Sequence, residues 1–120
     1  MPDPRQYELI TIQDPVSAAS EAYRTLRMNL QFAALDVDLH TLLVTSPGAN
    51  EGKSTVLANL GVTMAQIGRH VTLVDCDLRR PALHDFFGLR NDVGLTSMVV
   101  EEHASQPPPL QATEIENLHL

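Results

Sequence analysis

Residues 41–74 change hydrophobic periodicity twice, and this change restricts the fold of the whole chain. Residues 41–45 are a short apolar, β-branched run, which predicts a buried parallel strand. Residues 54–67 place apolar side chains at helical spacing and are followed by Gly68, a residue typical of helix ends. Residues 71–74 predict a second buried strand. The order strand, helix, strand predicts a right-handed βαβ unit, and therefore an α/β fold with a parallel sheet.

The segments on either side of this unit are interpreted as a leader and as the rest of one domain. Residues 1–16 are polar and rich in proline, which predicts a leader segment in front of a domain that spans 17–120. Residues 17–34 are rich in helix formers with apolar residues four positions apart, which predicts a helix. Beyond the βαβ unit the sequence predicts two short helices, a proline-rich loop and the start of a third strand, over residues 81–87, 96–100, 105–111 and 117–120.

Composition excludes several classes of partner. A chain of 120 residues allows one small domain, and its net charge of -7 argues against nucleic acid or an anionic membrane surface as a partner. The sequence has no signal peptide and no run of about 18 apolar residues that could span a bilayer. Its single cysteine cannot form an internal disulfide, which fits a reducing compartment. The sequence therefore predicts a cytoplasmic domain that does not bind nucleic acid.

The loop between the first strand and the helix has the composition of a phosphate-binding Walker A loop, over residues 45–55. Backbone N–H groups of such a loop, together with the N-terminus of the next helix, attract anions. Lys53 is the only lysine of the chain, and we expect it to reach the β- and γ-phosphates of a nucleotide. We expect the Ser54 hydroxyl to coordinate Mg²⁺.

The loop departs from the strict pattern G-x-x-x-x-G-K-[ST] at one position. The pattern requires a glycine where Pro47 stands, and Gly48 follows one residue later. A turn rich in serine and glycine that merely precedes a helix is the alternative interpretation. The strand–loop–helix context and the single lysine favour phosphate binding. The predicted cofactor-binding residues are Gly48, Ala49, Asn50, Glu51, Gly52, Lys53, Ser54 and Thr55.

Two aspartates, Asp75 and Asp77, directly follow the second predicted strand. Because parallel strands end at the same edge of a sheet, we expect both carboxylates to face the phosphate loop. There they could hold Mg²⁺ or accept a proton from an attacking hydroxyl, although such residues can also simply begin a solvated turn. Arg79 and Arg80 could stabilise a transferring phosphoryl group or cap a helix. The predicted catalytic residues are Lys53, Asp75 and Asp77, and the predicted metal ligands are Ser54 and Asp75.

Three stretches of the sequence together resemble a known family. They are residues 21–27 (Glu-Ala-Tyr-Arg-Thr-Leu-Arg), the loop 45–55, and residues 73–84 with Phe87-Gly88 after them. The chain resembles the N-terminal portion of the cytoplasmic P-loop domain of bacterial tyrosine kinases, the BY-kinases of the capsular and exopolysaccharide biosynthesis group (CpsD/CapB/Wzc-like). Residues 71–80, with their Asp-x-Asp-x-Arg tail, are similar to the Walker A′ motif of that family.

The resemblance implies a P-loop NTPase-type parallel sheet flanked by helices, incomplete in this chain. It implies transfer of the γ-phosphoryl group of ATP to protein tyrosine, with Mg²⁺, between subunits of a ring-like homo-oligomer. A separate membrane activator, a chain-length regulator of polysaccharide synthesis, would then hold the cytoplasmic chain at the inner face of the membrane. A membrane part fused to the same polypeptide is the alternative. The resemblance assigns oligomerisation to the helix 17–34, through Glu21, Arg24 and Arg27.

The chain also departs from the family. Ala49-Asn50 stands where the family usually has Pro-Gly, and asparagine is the residue that best accepts a left-handed backbone in place of glycine. Cys76 occupies a position where the family commonly has a small residue, and we expect it to be buried. The family's later metal-linked strand and its tyrosine cluster do not occur within these 120 residues. We therefore expect this polypeptide alone to be poorly stable and to have little kinase activity.

Two alternative functions remain from the sequence. A Min/Par-type ATPase shares the fold but carries an extra lysine early in its loop, at the place that Gly48 occupies here. The single lysine of the chain disfavours that alternative. The second alternative belongs to another class, a non-catalytic nucleotide-binding or oligomerisation module.

Overall fold

The computed structural model describes residues 7–36, 38–100 and 107–120. Predictions that concern residues 1–6 of the leader and 105–106 of the proline-rich loop lie outside these ranges. The described elements are, in chain order, α1 (Ile10–Gln13), α2 (Ala18–Ala33), α3 (Lys53–Gln66), β1 (Val71–Thr72), α4 (Leu83–Phe86), α5 (Leu95–Val100) and β2 (Leu118–His119).

Helix α2 confirms the helix predicted over residues 17–34. It begins after Ser17, whose side-chain oxygen accepts a hydrogen bond from the backbone N–H of Ser20 at 3.1 Å. This contact satisfies one of the free N–H groups of the first turn. No helix in the described ranges is both long and apolar enough to cross a bilayer.

Helix α3 lies at the centre of the packed unit and confirms the helix predicted over residues 54–67. It ends before Gly68, whose φ of 83° is left-handed, as a helix-terminating glycine requires. Gly61 faces β1, and a Cβ atom at this position would lie 2.8 Å from Cδ2 of Leu73. The absence of a side chain at Gly61 therefore lets α3 approach β1 closely.

The two strands form a parallel pair, which confirms the predicted α/β class. Val71 pairs with Leu118 and Thr72 with His119. The N–H of Leu73 extends the pairing by donating to the carbonyl of His119 at 2.8 Å. The strand predicted to begin near residue 117 is thus confirmed, whereas the predicted strand 71–74 is regular only over its first two residues.

The prediction of a buried parallel strand over residues 41–45 is wrong. In the part of the chain that the structure describes, these residues pair with no strand, and Leu43 is 82 % exposed. A groove of about 710 Å³ separates residues 38–42 from β1, and side chains of α3, including Leu60 and Met64, line it. An apolar run becomes a strand only when its backbone forms hydrogen bonds with a neighbouring strand. Here the groove lies between this segment and β1, and these hydrogen bonds do not form.

The N-terminal segment belongs to the packed unit. The ring of Tyr7 packs edge-to-face on Phe86, with ring centroids 5.4 Å apart. Thr11 is buried, and its N–H and hydroxyl both donate to Oδ1 of Asn59 in α3, at 3.1 and 2.9 Å. Residues 7–13 of the predicted leader therefore stabilise α3, and the boundary predicted at residue 16 does not separate them from the core.

The hydrophobic core lies between α3, β1, β2 and α4. Its buried side chains come from α3, α4 and β2 and from Leu73, directly after β1, and Leu83 and Leu118 are almost fully inaccessible. The core residues are Ala58, Val62, Ala65, Leu73, Leu83, Phe86 and Leu118. This packing places the start of α3 beside the end of β1.

Candidate functional site

The backbone of the loop before α3 passes through the left-handed region at two positions. Asn50 and Gly52 adopt left-handed conformations, with φ of 58° and 82°. Such residues direct neighbouring N–H groups toward a common concave surface, which the helix N-terminus then extends. The prediction that Asn50 accepts a left-handed backbone is confirmed. A Cβ atom on Gly52 would meet no heavy atom within 4 Å, so the loop is open on that side.

The side chain of Glu51 folds back into this loop. Its Oε2 accepts a hydrogen bond from the backbone N–H of Gly48 at 3.2 Å. The Ser46 hydroxyl donates to the Gly48 carbonyl at 2.9 Å and closes the other side of the turn. One of the loop amides predicted to bind phosphate therefore already donates to a carboxylate of the protein.

Lys53 is the first residue of α3, and its ammonium group lies beside Asp77. Nζ of Lys53 is 3.3 Å from Oδ2 of Asp77, and each side chain is about one third exposed, at 32 and 31 %. The structure thus brings together two of the three predicted catalytic residues from separate elements.

The Asp77 carboxylate is held in place by the backbone that follows it. Its Oδ1 accepts from the backbone N–H groups of Arg80 at 3.0 Å and Arg79 at 3.3 Å. The Arg80 N–H, followed by the Lys53 ammonium, lowers the pKa of Asp77 below its ordinary value. Asp77 is therefore an ionised group with a fixed orientation. The side chains of Arg79 and Arg80 are exposed.

Asp75 anchors the turn between β1 and α4. Its Oδ1 accepts from the N–H of Asp77 at 3.0 Å. Its Oδ2 accepts from the N–H groups of Ala82 at 2.9 Å and Leu83 at 3.0 Å. Asp75 therefore fixes the backbone that carries Asp77, and it lies at the same end of β1 as predicted.

The donor set fits an anionic nucleotide with a bound divalent cation. Loop amides and the Lys53 ammonium suit phosphate oxygens, and the carboxylates of Asp75 and Asp77 suit Mg²⁺. Within the described residues, no three side chains of His, Cys, Asp or Glu gather as a metal site. A magnesium ion that binds through nucleotide phosphates requires only one or two ligands from the protein.

Cys76 is exposed, and the expectation that it is buried is wrong. The physical reason is its position in the turn, since the regular part of β1 ends at Thr72 and Leu73 is the last buried residue before the turn. The neighbouring carboxylates turn toward backbone amides and Lys53, which leaves the thiol toward solvent.

The three residues of the predicted oligomerisation stripe differ in their surroundings. Arg24 donates to the Glu21 carboxylate and to the Pro15 carbonyl, and Glu21 is 65 % exposed. Arg27 is half-buried, and its Nη1 donates to the carbonyl of Thr63 in the last turn of α3 at 2.8 Å. Arg27 therefore joins α2 to α3 within one chain.

Sequence reasoning missed two contacts that support the site. Asn59 is fully buried in α3, and its Nδ2 donates to the carbonyls of Glu8 at 3.3 Å and Thr55 at 3.0 Å. An amide side chain among the mostly apolar residues of the buried helix is the signal that could have revealed it. The contact of Arg27 with Thr63 left no such signal, because a basic residue on a helix is usually solvated.

Comparison with known families decides the class of this site. The sequence profile of the CobQ/CobB/MinD/ParA nucleotide binding domain matches residues 42–105, which include the loop, α3 and both aspartates. The chain belongs to this family. The P-loop nucleotide-binding domain inferred from the loop is therefore confirmed.

Individual relatives of this nucleotide-binding domain are bacterial tyrosine kinases. Tyrosine-protein kinase YwqD of Bacillus subtilis is 42 % identical over 113 residues, which cover 94 % of this chain and 47 % of that protein. Tyrosine-protein kinase Wzc of Salmonella typhi is 34 % identical over 95 residues, covering 79 % of this chain and 13 % of that protein. The predicted resemblance to bacterial tyrosine kinases is confirmed over most of the chain.

Two solved structures share the fold of this nucleotide-binding domain. The chimerical protein CapA2B2 superposes with a TM-score of 0.83 at 39 % identity, over 92 % of this chain and 48 % of that one. The BceF tyrosine kinase domain superposes with a TM-score of 0.79 at 28 % identity, over 92 % of this chain and 43 % of that one. The chain spans at most about half the length of the relatives that it matches.

Proposed function

We propose that the chain is the phosphate-binding portion of an ATP- and Mg²⁺-dependent protein-tyrosine kinase. The observation that carries the proposal is the ion pair of 3.3 Å between Lys53 and Asp77. It brings a candidate phosphate ligand and a candidate proton acceptor to one place, in a chain whose relatives are named tyrosine-protein kinases.

Each site residue has a distinct role in this proposal. The loop amides of residues 48–55 and Lys53 hold the phosphates of ATP. Asp77 accepts the proton of the tyrosine hydroxyl. The tyrosine oxygen attacks the γ-phosphorus of ATP, and the bond between the γ-phosphorus and ADP breaks. Ser54 and Asp75 hold Mg²⁺, which offsets the negative charge of the phosphates when it is bound. Asp75 also orients the backbone of Asp77.

The proposed assembly is a ring-like homo-oligomer that phosphorylates tyrosine residues of its own subunits and of other proteins. The exposed carboxylate of Glu21 supports a contact with a second copy, with Arg24 beside it and Arg27 fixing the helix that presents them. We propose a cytoplasmic location at the inner face of the membrane, through a membrane activator. The biological role would be regulation of capsular or exopolysaccharide synthesis.

A non-catalytic nucleotide-binding or oligomerisation module is the second candidate function. The observation that favours it is that the described residues form a parallel sheet of two strands, because so few strands bury little apolar surface. For this polypeptide alone we therefore propose nucleotide binding with little phosphoryl transfer.

The test combines two measurements on the purified chain. ADP binding is measured by calorimetry, and tyrosine phosphorylation is measured with radiolabelled ATP, Mg²⁺ and a tyrosine polymer. We expect binding that Lys53→Met weakens at least tenfold, and transfer close to background. Rapid transfer by the 120-residue chain would contradict the low activity, and equal binding by the Lys53→Met variant would remove the loop from the mechanism.

A further inference from the structure

Two donors of the proposed phosphate site already hold carboxylates of the same chain. The backbone N–H of Gly48 donates to Glu51 at 3.2 Å, and the Lys53 ammonium lies 3.3 Å from Asp77. We propose that Glu51 and Asp77 are internal competitors of nucleotide phosphate, so that a nucleotide binds only by displacing both contacts. The inference rests on the proposed function in one respect, namely that this loop takes phosphate.

The contact of Glu51 imitates a bound phosphate. Its carboxylate is an oxyanion placed on a loop amide, the kind of donor that binds phosphate at a helix N-terminus. The oxygens also lie close to the backbone, since a Cβ atom on Gly48 would be 3.1 Å from Oε1 of Glu51. Glu51 is exposed, so rotation about its own side-chain bonds can carry the carboxylate into solvent.

The contact between Asp77 and Lys53 must break by movement of the lysine side chain, because the carboxylate is fixed. Two backbone N–H groups, from Arg79 and Arg80, fix the Asp77 carboxylate, whereas Lys53 has a flexible four-carbon side chain. Lys53 therefore leaves Asp77 when it turns to a phosphate. Because Lys53 is the only lysine of the chain, no second lysine side chain can take its place at either partner.

Neutral variants of the two carboxylates separate competition from other effects. Glu51→Gln and Asp77→Asn keep the size of each side chain but weaken its hold on the donor and remove its repulsion of phosphate. Asp85→Asn is the matched control, since it changes the net charge equally while Asp85 contacts His84 in α4 and not the loop. Affinity for ADP is measured by calorimetry on the purified chain in EDTA, so that no metal ion contributes.

We expect Glu51→Gln and Asp77→Asn each to tighten ADP binding about two- to fivefold, because one contact is a hydrogen bond to an exposed carboxylate and the other is a partly exposed ion pair. The double variant should bind more tightly than either single variant, and Asp85→Asn should match the wild type. A second measurement does not depend on nucleotide. In the ¹⁵N–¹H NMR spectrum of the chain alone, Glu51→Gln should shift the Gly48 amide resonance, and Asp85→Asn should leave it in place.

The outcomes distinguish this inference from the proposed function. Measurable ADP binding by the wild type without a gain in either variant would overturn the competition alone. A gain in only one variant would overturn the role of the other carboxylate. No binding by the wild type and by any variant, up to millimolar ADP in EDTA and again with Mg²⁺ in its place, would overturn the proposed function and the inference with it. If Asp77→Asn folds poorly, Glu51→Gln and the Gly48 resonance still decide the case for Glu51.

Discussion

Nζ of Lys53 lies 3.3 Å from Oδ2 of Asp77, although 24 positions of sequence separate the two residues. Lys53 begins α3, and Asp77 lies in the turn that follows β1. Their approach therefore depends on the packing of α3 against β1, where Gly61 meets Leu73. Changes to this packing, far from either charge, should alter the site.

The Asp77 carboxylate makes the stability of the fold depend on pH in the acid range. Because the Arg80 N–H and Lys53 lower its pKa below the ordinary value of 3.8, its contribution to stability is complete above about pH 4. That contribution is lost as the pH falls through the lower pKa of the folded state. We expect the thermal midpoint of the wild type to fall more steeply below pH 4 than that of Asp77→Asn, as followed by circular dichroism. Parallel curves for the two proteins would contradict this assignment.

Gly61→Ala should destabilise the protein in spite of the higher helix propensity of alanine. The new methyl group would lie 2.8 Å from Cδ2 of the buried Leu73. Overpacking of this kind costs about 1–3 kcal/mol, against a gain of roughly 0.5–1 kcal/mol in propensity. Urea denaturation measures the difference. Gly94→Ala is the control, because a Cβ atom at that position would meet nothing within 4 Å. Equal stabilities of the two variants would show that α3 and β1 are not closely packed.

Arg27→Met should lower the free energy of unfolding by about 1.5–3 kcal/mol, since it removes a charged hydrogen bond. In a continuing helix the N–H of Ile67 would donate to the carbonyl of Thr63, but here it donates to the carbonyl of Met64. Arg27 donates to the Thr63 carbonyl in its place. Arg24→Met, at a more peripheral pair, should cost less than about 1 kcal/mol. Urea denaturation measures both. If the Arg27 variant were as stable as the wild type, the hydrogen bond from Arg27 to Thr63 would contribute nothing measurable to stability.

Asn59→Ala should release the N-terminal segment. The substitution leaves the hydrogen-bonding groups of Thr11 and the Glu8 carbonyl without their partner, at a cost of about 2–4 kcal/mol. We expect faster proteolysis within residues 7–16 and a lower thermal midpoint. Asn91→Ala, in an exposed turn, should change stability by less than about 0.5 kcal/mol. Equal proteolysis of the two variants would contradict the role of Asn59.

The parts of the fold that sequence predicted correctly depend on local chemistry. Helical spacing and end residues such as Gly68 determined α3 and the turn after it. The left-handed backbone of Asn50 followed from its side chain. The proximity of Asp77 to the loop followed from the shared direction of parallel strands, even though the strand before the loop is not formed among the described residues.

The parts that sequence did not predict depend on partners distant in the chain. An apolar run such as residues 41–45 indicates a tendency to be buried, but its hydrogen-bonding partner is a property of the whole sheet. Arg27 is indistinguishable in sequence from a solvated helix residue until Thr63 is placed beside it. The contact of Glu51 with Gly48 depends on how the chain reverses direction in the loop. No spacing pattern in the sequence specifies where a side chain of such a turn will point.

The groove between residues 38–42 and β1 has a practical consequence for handling this polypeptide. Within the described residues β1 pairs only with β2, so its other side faces the groove and an apolar floor. Such a surface can accept any extended segment that offers matching backbone groups, including one from a misfolded neighbour. Inclusion-body formation during overproduction should therefore depend on protein concentration, and charged substitutions at the groove-lining residues Leu39 and Leu42 should increase the soluble yield.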